Sequence, residues 1–566
     1  MSWPMAERFA LHFVADAYAV DGPRPTGRHS AGAGLVRAIA EAADVRAVGC
    51  FAAGSAHAQE CERMLRSHGC RAEVVHIAQG RPQDIAPFGT LYQPAPALDR
   101  LAWRRLGVGE RSYSLCGVTH ATASHAVMTA IAGLLVAPLR SWDALVCTSR
   151  VVRDSVREVI ERQADYLRAR LGAQRFELPQ LPLIPLGVHC RDFAPDEARR
   201  ADVRRRLGIG LDDVAFLSLG RLSFHAKAHP QQMFAALERA ALAQAATDRR
   251  QVHLLLCGWF ANEGIEKAFR EGAAALCPSV RLTVLDGRVP ELQRDAWAAA
   301  DVFTALADSV QETFGQAPVE AMAAGLPCVV SDWNGYRDTV RDGVDGYRIP
   351  TLMPGAGAGL DLAQRYDDGV DSYDMYCGHT SQAVALDGAL LAQAYARLTA
   401  DAALRRELGA NARLRAQQEF DWGVVLARYR MLWSELDERR RADAVLAPPL
   451  PAPVPDRLDP FALFATYPSM QITPLSLVEL AGDASLALVR EYRELALNRF
   501  TVASLPTLEE FGQIFGSIGS RPMQVDELLD ALGPCDRPAL LRGLAWLAKM
   551  DLLRIRAAGS ENAGSL

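Results

Sequence analysis

Strand-like and helix-like patterns alternate along the chain to about residue 188, pass through a short connector, and then start over. In the first half RFALHFVAD, VRAVGCF and AEVVHI read as buried strands, with LVRAIAEA and AQECERMLRSHG as helices between them. GPRPTGRHSAGAG reads as a Gly-rich loop after the first strand. YSLCGVTH and DALVCTS follow as strands, then VVRDSVREVIERQADYLRARLG as a long amphipathic helix that Gly172 ends. The alternation restarts at DVAFLSLGR, runs to about residue 350 and closes with a helical stretch near 381–440. Strands separated by helices pair in parallel, in a sheet covered on both faces. Two such series of similar size predict an α/β protein with two Rossmann-like domains, 1–188 and 189–440, facing each other across a cleft.

A length of 566 residues leaves room for more than these two domains. From Val445, VLAPPLPAPVPDRLDP spaces its prolines too closely for a helix or a central strand, which predicts a semi-rigid linker over 441–460. Residues 461–566 read as a small, mainly helical accessory domain, with Leu528, Leu541, Leu544, Trp546 and Leu553 in its core. Its end, MQVDELLDALGPCDRPALLRGLAWLAKMDLLRIR, has the helix–turn–helix–strand rhythm of a winged-helix module and also fits a plain helical bundle. The segment LLRGLAWLAKMDLLRIR has few cations and the formal charge is −6, so no nucleic-acid partner is expected. A protein or acceptor partner suits this tail better. The eleven cysteines include no C-x-x-C pair and read as reduced thiols in a cytoplasmic protein. Glu7, Arg8 and Asp16 do not fit a signal peptide, and the longest apolar run, Ala126 to Pro138, is too short to span a bilayer. No transmembrane segment is expected, and peripheral membrane contact stays open.

Chemistry concentrates in two stretches of the second half. LSLGRLSFHAKAHP leaves a strand and places Arg221 and Lys227 in the loop towards the next helix, where two cations can neutralise a diphosphate. On spacing alone they fit a solvated surface pair equally well, and His225 and His229 read as loop residues or caps. In QETFGQAPVEAMAAGLP, Glu312 falls in a loop and Glu320 in the first turns of a helix, with Phe314 and Gly315 bringing backbone amides to the helix start. Two carboxylates accept hydrogen bonds from sugar hydroxyls while amides and cations hold phosphates, a combination that suits a nucleotide sugar. The plainer reading is a capping Glu312 and a core-edge Glu320. No metal-ligand cluster accompanies them.

Glu312, Phe314, Gly315, the run from Glu320 to Pro327 and Gly335, preceded by Gly220-Arg221 and Lys227, resemble the E-x7-E signature of family 4 glycosyltransferases of the GT-B fold. IPLGVHCRDFAP, DALVCTSRVVRD, the block from Val340 to Pro350 and FDWGVVLARYRMLW resemble further family segments, so the likeness covers about residues 8–440. It implies a retaining glycosyltransferase that moves a sugar from a nucleotide-sugar donor to an acceptor, which the resemblance leaves as a lipid-linked glycan, a polysaccharide, a small molecule or a peptide. It also implies that Arg221 and Lys227 bind the donor diphosphate, Glu312 lies near the donor sugar, Glu320 holds the ribose, and the amides of Phe314 and Gly315 meet sugar or phosphate. His120 resembles the histidine that the first domain extends to the donor sugar; by itself it reads as a satisfied core histidine. Gly32 and Gly34 match a loop that lets phosphate and acceptor approach the first sheet. The resemblance implies no cofactor and no catalytic metal.

Three departures stand out. Asp308-Ser309 replaces a frequent Pro-Ser before the signature glutamate. GRHSAGAG replaces a plain Gly-Gly pair, which bears on acceptor recognition. PGAGAGLDLAQRYDDGVDSYDMYCGH, from Pro354, is an acidic insertion read as a solvated loop. A sugar-phosphate synthase or phosphorylase on the same fold is the alternative within the class. A non-catalytic nucleotide-sugar-binding regulatory or scaffold protein is the alternative outside it.

Overall fold

The structure is a computed structural model that describes residues 5–18, 27–245, 250–443, 454–455 and 457–557. Chain contacts divide it into two compact units, Met1–Val454 and Pro455–Leu566. Most of the linker expected over 441–460 lies outside the described residues.

The first unit holds two parallel sheets. Strands β1 (Arg8–His12), β2 (Ala47–Ala52), β3 (Glu73–Ala78), β4 (Thr90–Gln93), β5 (Ser114–Val118) and β6 (Ala144–Val146) form one, in the order β3-β2-β1-β4-β5-β6. Strands β7 (Val214–Leu222), β8 (Val252–Phe260), β9 (Arg281–Asp286), β10 (Val302–Ala305), β11 (Cys328–Ser331) and β12 (Gly346–Ile349) form the other, in the order β12-β11-β10-β7-β8-β9. Both orders are the doubly wound one, with the direction of winding reversed between β1 and β4 and between β7 and β10. The central strands are buried on both faces, which is why AVGCFA and VAFL carry no polar alternation. Helix Arg150–Leu171 opens on a Ser149 cap and ends at Gly172, at a φ of 68°. Helix Trp422–Ala442 follows the second sheet in sequence yet packs into the core of the first domain.

Two expectations are corrected here. The Gly-rich loop is helical from Gly27: helix Gly27–Glu41 contains both Gly32 and Gly34. Its glycines are there for close packing, because a Cβ on Gly32 would fall 2.0 Å from the Ala17 carbonyl oxygen and one on Gly34 2.3 Å from Trp422 Nε1. A phosphate approach to these two backbones is replaced by protein contact. Residues 19–26, the start of that stretch, lie outside the described residues. The acidic insertion is largely solvated, as expected, but it is no loop. It folds as a pair of helices, Leu360–Asp367 and Tyr373–Ser381, between β13 (Thr351–Leu352) and β14 (Ala385–Leu386), which pair antiparallel. Ser372 caps the second helix, and Arg365 holds buried Asp371 through two bonds of 2.8 and 2.9 Å.

The second unit has its own core and a three-stranded antiparallel sheet in the order β16-β15-β17, from β15 (Leu477–Leu480), β16 (Met523–Gln524) and β17 (Leu553–Arg556). Helices Leu508–Ile518, Val525–Leu532 and Arg537–Lys549 cover it. Leu528, Leu544, Trp546 and Leu553 are buried, and Leu541 packs against them. The central strand comes from the N-terminal side of these helices, a feature the helix–turn–helix–strand rhythm did not disclose.

Gly34→Ala drives a methyl into the buried indole of Trp422, so the variant should lose about 1–3 kcal/mol of stability and melt at a lower temperature. Its affinity for a free nucleoside diphosphate, measured by calorimetry, should be unchanged. Lost affinity with unchanged melting would return Gly34 to the binding site.

Candidate active site

The carboxyl ends of β7 and β10 lie side by side where the strand order of the second sheet reverses, the place where ligands collect in such sheets. Arg221 is not in the loop: its register with Trp259 keeps it in β7, one residue before the strand ends. Its Nη2 turns back to donate to the Ala226 carbonyl and to Gln311 Oε1, each at 2.8 Å. The loop itself folds on Ser223, whose carbonyl accepts the amides of Lys227 and Ala228 at 3.1 Å. Lys227 Nζ, carried by that loop, pairs with Glu312 Oε2.

Glu312 sits between β10 and helix Gln316–Ala323, its side chain only 10% exposed. Burial alone would raise its pKa, but the charge and hydrogen bond of Lys227, the Thr313 amide and the Tyr336 hydroxyl together hold it below the usual carboxylate range. Glu320 lies in the helix with no cation beside it. Burial pushes its pKa up to about 7, against the pull of a hydrogen bond from Gln316. The pKa values of the two signature glutamates are therefore shifted in opposite directions.

The turn into the helix depends on Gly315, at a φ of 89°, where a Cβ would fall 2.2 Å from the Tyr336 ring. The first amides of the helix lack intrahelical acceptors and present a partial positive charge. Phe314 is 2% exposed and packs edge-on against Phe420, so its side chain belongs to the core and only its backbone is offered to the site. Asp308, the residue that replaces the frequent proline, accepts the His229 amide at 3.0 Å and ties the cation-bearing loop to the Glu312 loop. Burial pushes its pKa up to about 6, with the His229 amide opposing.

Arg221, Lys227, Glu312 and Gly315 line one cleft of about 660 Å³, mouth included, over a floor of Met233, Leu256 and Phe269. Glu320 lies one turn beyond Gln316 on the helix that walls this cleft and does not itself line it. His120 belongs to the first domain, just past the end of β5. Burial lowers its pKa to about 4, the Arg28 charge lowers it further and the Pro94 carbonyl works against both, so the ring is neutral at pH 7. Gly32 and Gly34 are not brought to the cleft.

Several residues that the sequence reading passed over belong here. Ser149 Oγ donates to the Thr313 carbonyl at 2.9 Å, and Arg150 grips Asp338 through its amide and its Nε, both at 2.6 Å, so the first domain touches the Glu312 loop directly. The signal was the polar Thr-Ser-Arg closing a buried strand in DALVCTSR. Tyr336 follows Gly335 in a motif read for its glycine alone. His12 ends β1 at the reversal point of the first sheet, with Gln93 Oε1 at 2.5 Å and Gln79 Nε2 at 3.1 Å from its ring nitrogens; a histidine closing an apolar strand run was its mark. Among the described residues no group of three or more His, Cys, Asp or Glu side chains is placed to hold a metal ion.

Residues 199–354, most of the second sheet and its cleft, match the family "Glycosyl transferases group 1". D-inositol 3-phosphate glycosyltransferase of Geodermatophilus obscurus is 36% identical over 174 residues, covering 30% of this chain and 37% of that protein. A GDP-mannose-dependent alpha-(1-6)-phosphatidylinositol dimannoside mannosyltransferase of Mycobacterium tuberculosis is 30% identical over 248 residues, covering 41% of this chain and 55% of that one. The chain thus spans about a third to a half of the length of the curated relatives it matches. Among solved structures, Anabaena Alr3699/HepE in complex with UDP is 19% identical with a TM-score of 0.47, covering 74% of this chain and 97% of that one.

Glu320 gives a test through pH. Its folded pKa of about 7 lies above the ordinary 4.5, so the stability tied to its protonated form is complete below pH 4.5 and is lost as pH rises through 7. Glu320→Gln should therefore melt above the wild type at pH 8, by an amount on the order of 1–3 kcal/mol, and level with it near pH 4. A gap that does not change between the two pH values would show that Glu320 is not held in this state.

Proposed function

We propose that the protein is a retaining, family 4 glycosyltransferase of the GT-B type that transfers a sugar from a nucleotide-sugar donor to a hydroxyl of an acceptor. One observation carries this reading. Arg221, Lys227, Glu312 and the start of helix Gln316–Ala323 converge on one cleft at the strand-order reversal, inside the segment that matches the glycosyltransferase family. Cations and helix amides suit the diphosphate, and carboxylates suit the hydroxyls of sugar and ribose.

In the reaction, the bond between the anomeric carbon and the diphosphate oxygen breaks as the acceptor oxygen bonds to the same face of that carbon. The acceptor's proton passes to the departing phosphate. Arg221 and Lys227 stabilise the charge that develops on the diphosphate, a role worth on the order of 3–4 kcal/mol per contact. His120, neutral at pH 7, offers a hydrogen bond to the donor sugar without bringing a charge. The family resemblance alone assigns the ribose to Glu320, which sits one turn beyond the cleft lining, and closure of the two domains excludes the water that would hydrolyse the donor. The protein's own cations act in place of a metal, and no cofactor takes part. The names of the relatives direct the acceptor search first to inositol phosphates and phosphatidylinositol-linked glycans. A cytoplasmic setting fits eleven free thiols, ten of them buried, and no helix among the described residues is long and apolar enough to cross a membrane.

Incubation with UDP-, GDP- and ADP-sugars, with and without inositol phosphate, should give donor consumption with one of them, an α-configured product by NMR, and no loss on adding a chelator. Lys227→Ala should lower kcat roughly 100- to 1000-fold, and because it leaves Glu312, only 10% exposed, without its cation, the melting temperature should fall as well, less so at low pH where the carboxylate is protonated. Full transfer by Lys227→Ala would overturn the phosphate assignment. Binding of a nucleotide sugar without turnover towards any acceptor or water would favour the regulatory or scaffold reading.

A further inference from the structure

The helix pair at 360–381 touches both domains of the first unit. On the donor side its second helix lies on the cation-bearing loop: a Cβ on Gly378 would fall 3.1 Å from the Cβ of His225. Buried Cys377 has Arg221 and Ser309 beside it. On the other side, the ring of Tyr366 stacks on His125 of the first domain, with centroids 3.7 Å apart and planes at 25°. The His125 amide also lies 3.5 Å from the Tyr366 hydroxyl. The second face of Tyr366 is covered by Tyr376, at 4.8 Å and 16°. Tyr366 is thus the middle ring of a stack whose outer members come from different domains. Both of its faces are occupied, so it is a joint and not a platform for a ligand.

The joint sits at a functional address. His120 and His125 belong to the same short connection, which leaves β5 at Val118 and enters helix His125–Gly133 at the Ser124 cap. Whatever fixes His125 fixes the segment that carries His120. The base of the joint is stiff, since Arg365 and His379 both engage Asp371, the latter at 3.2 Å. Tyr376 is brought under Tyr366 by this short, ion-paired turn.

We propose that Tyr366 is a positioning residue for glycosyl transfer: it seats the His120–His125 segment of the first domain against the Arg221–Lys227 loop of the second. The proposal rests on the transferase reading above. Tyr366 touches neither diphosphate nor sugar, so it acts through His125 and the loop bearing His120. A stacked aromatic pair corresponds to roughly a 2- to 10-fold effect on an equilibrium.

The test uses the full chain with Tyr366→Ala, Tyr366→Phe, His125→Ala and the Tyr366→Ala/His125→Ala double variant. Tyr366→Ala should lower kcat for transfer at least 2- to 10-fold, leave the affinity for free nucleoside diphosphate unchanged, and raise the radius of gyration in small-angle scattering. Tyr366→Phe keeps the ring and should restore all three values. The double variant should be no worse than the poorer single one, because both substitutions break the same joint. Unchanged scattering and kcat in Tyr366→Ala, with the wild type active, would overturn the proposal alone. A fall in nucleotide affinity equal to the fall in kcat would overturn it too, since that marks a local disturbance of the donor loop. Absence of transfer by the wild type would overturn the reading beneath it, and the proposal with it.

Discussion

The two Rossmann-like domains are held to each other by one helix that belongs to the second by sequence and to the first by packing. Helix Trp422–Ala442 buries Val425, Leu426, Tyr429, Leu432, Trp433 and Leu436 in a cluster with Phe9, Leu11 and Val48. Trp433 meets Phe9 at 4.5 Å between ring centres, and Tyr429 meets Tyr92 edge-on at 5.8 Å. Each large side chain buried in this way contributes about 1.5–3 kcal/mol, so the helix cannot detach without unmaking the core of the first domain. Its polar edges are tied as well: Arg430 Nε donates to the Ala6 carbonyl at 2.7 Å and Arg440 Nη1 to the Arg111 carbonyl at 2.7 Å. The outgoing and returning chains meet at its start, where the Val188 amide donates to the Phe420 carbonyl and the Trp422 amide to the Val188 carbonyl. Both connections between the domains thus pass through one point, and other contacts join the domains away from it. The Ser149–Thr313 bond, the Arg150–Asp338 pair and the Tyr366 joint are such contacts.

Around the cleft, electrostatics is divided by position and not by residue type. Glu312 and Glu320 are both withdrawn from water, and withdrawal raises the pKa of either. Only Glu312 has a cation within reach, and that one partner reverses the sign. The difference follows from the fold: the Ser223 turn delivers Lys227 to the loop that bears Glu312, whereas Glu320, one turn beyond Gln316, has only that residue as a side-chain partner among the described residues. Asp308 behaves like Glu320 for the same reason, since an amide from His229 offsets less than a full charge does. The three carboxylates in and beside the cleft thus include one whose pKa is lowered, Glu312, and two whose pKa values are raised, Asp308 to about 6 and Glu320 to about 7.

Much of this was legible in the sequence, because the pattern of a strand buried on both faces differs from that of an amphipathic helix. The two series of strands and the Gly172 stop follow from periodicity and caps. Arg221, Lys227, Glu312 and Gly315 were found together because they lie within two short stretches joined by adjacent strands. Gly32 and Gly34 were read as loop glycines, since glycine marks a flexible loop and a close helix contact equally well; Gly32 packs on the Ala17 carbonyl, and Gly34 on Trp422, nearly 400 residues away in sequence. The insertion misled for a related reason. Its acidic residues suggested a solvated loop; Asp361, Asp367, Asp368 and Asp374 are indeed exposed, but Asp371 is buried against Arg365 and the tyrosines between the charges meet ring partners, so the segment is helical. What joins Tyr366 to His125 is long-range geometry, which no local pattern records.

The Lys227–Glu312 pair also bears on how a donor would be told from a product. Lys227 is engaged by Glu312, and Arg221 by Ala226 and Gln311, so a diphosphate binds by exchange and gains only the difference between old and new partners. On the transferase reading, moving Lys227 to the phosphate strips Glu312 of the charge that keeps it ionised in a site only 10% exposed. A nucleoside diphosphate without its sugar leaves that carboxylate buried and unpaired, at a cost of several kcal/mol or a shift in its protonation. An intact donor brings hydroxyls that can satisfy the same oxygen atoms. On that reading the Lys227–Glu312 pair penalises the product relative to the substrate, without any contact to the base.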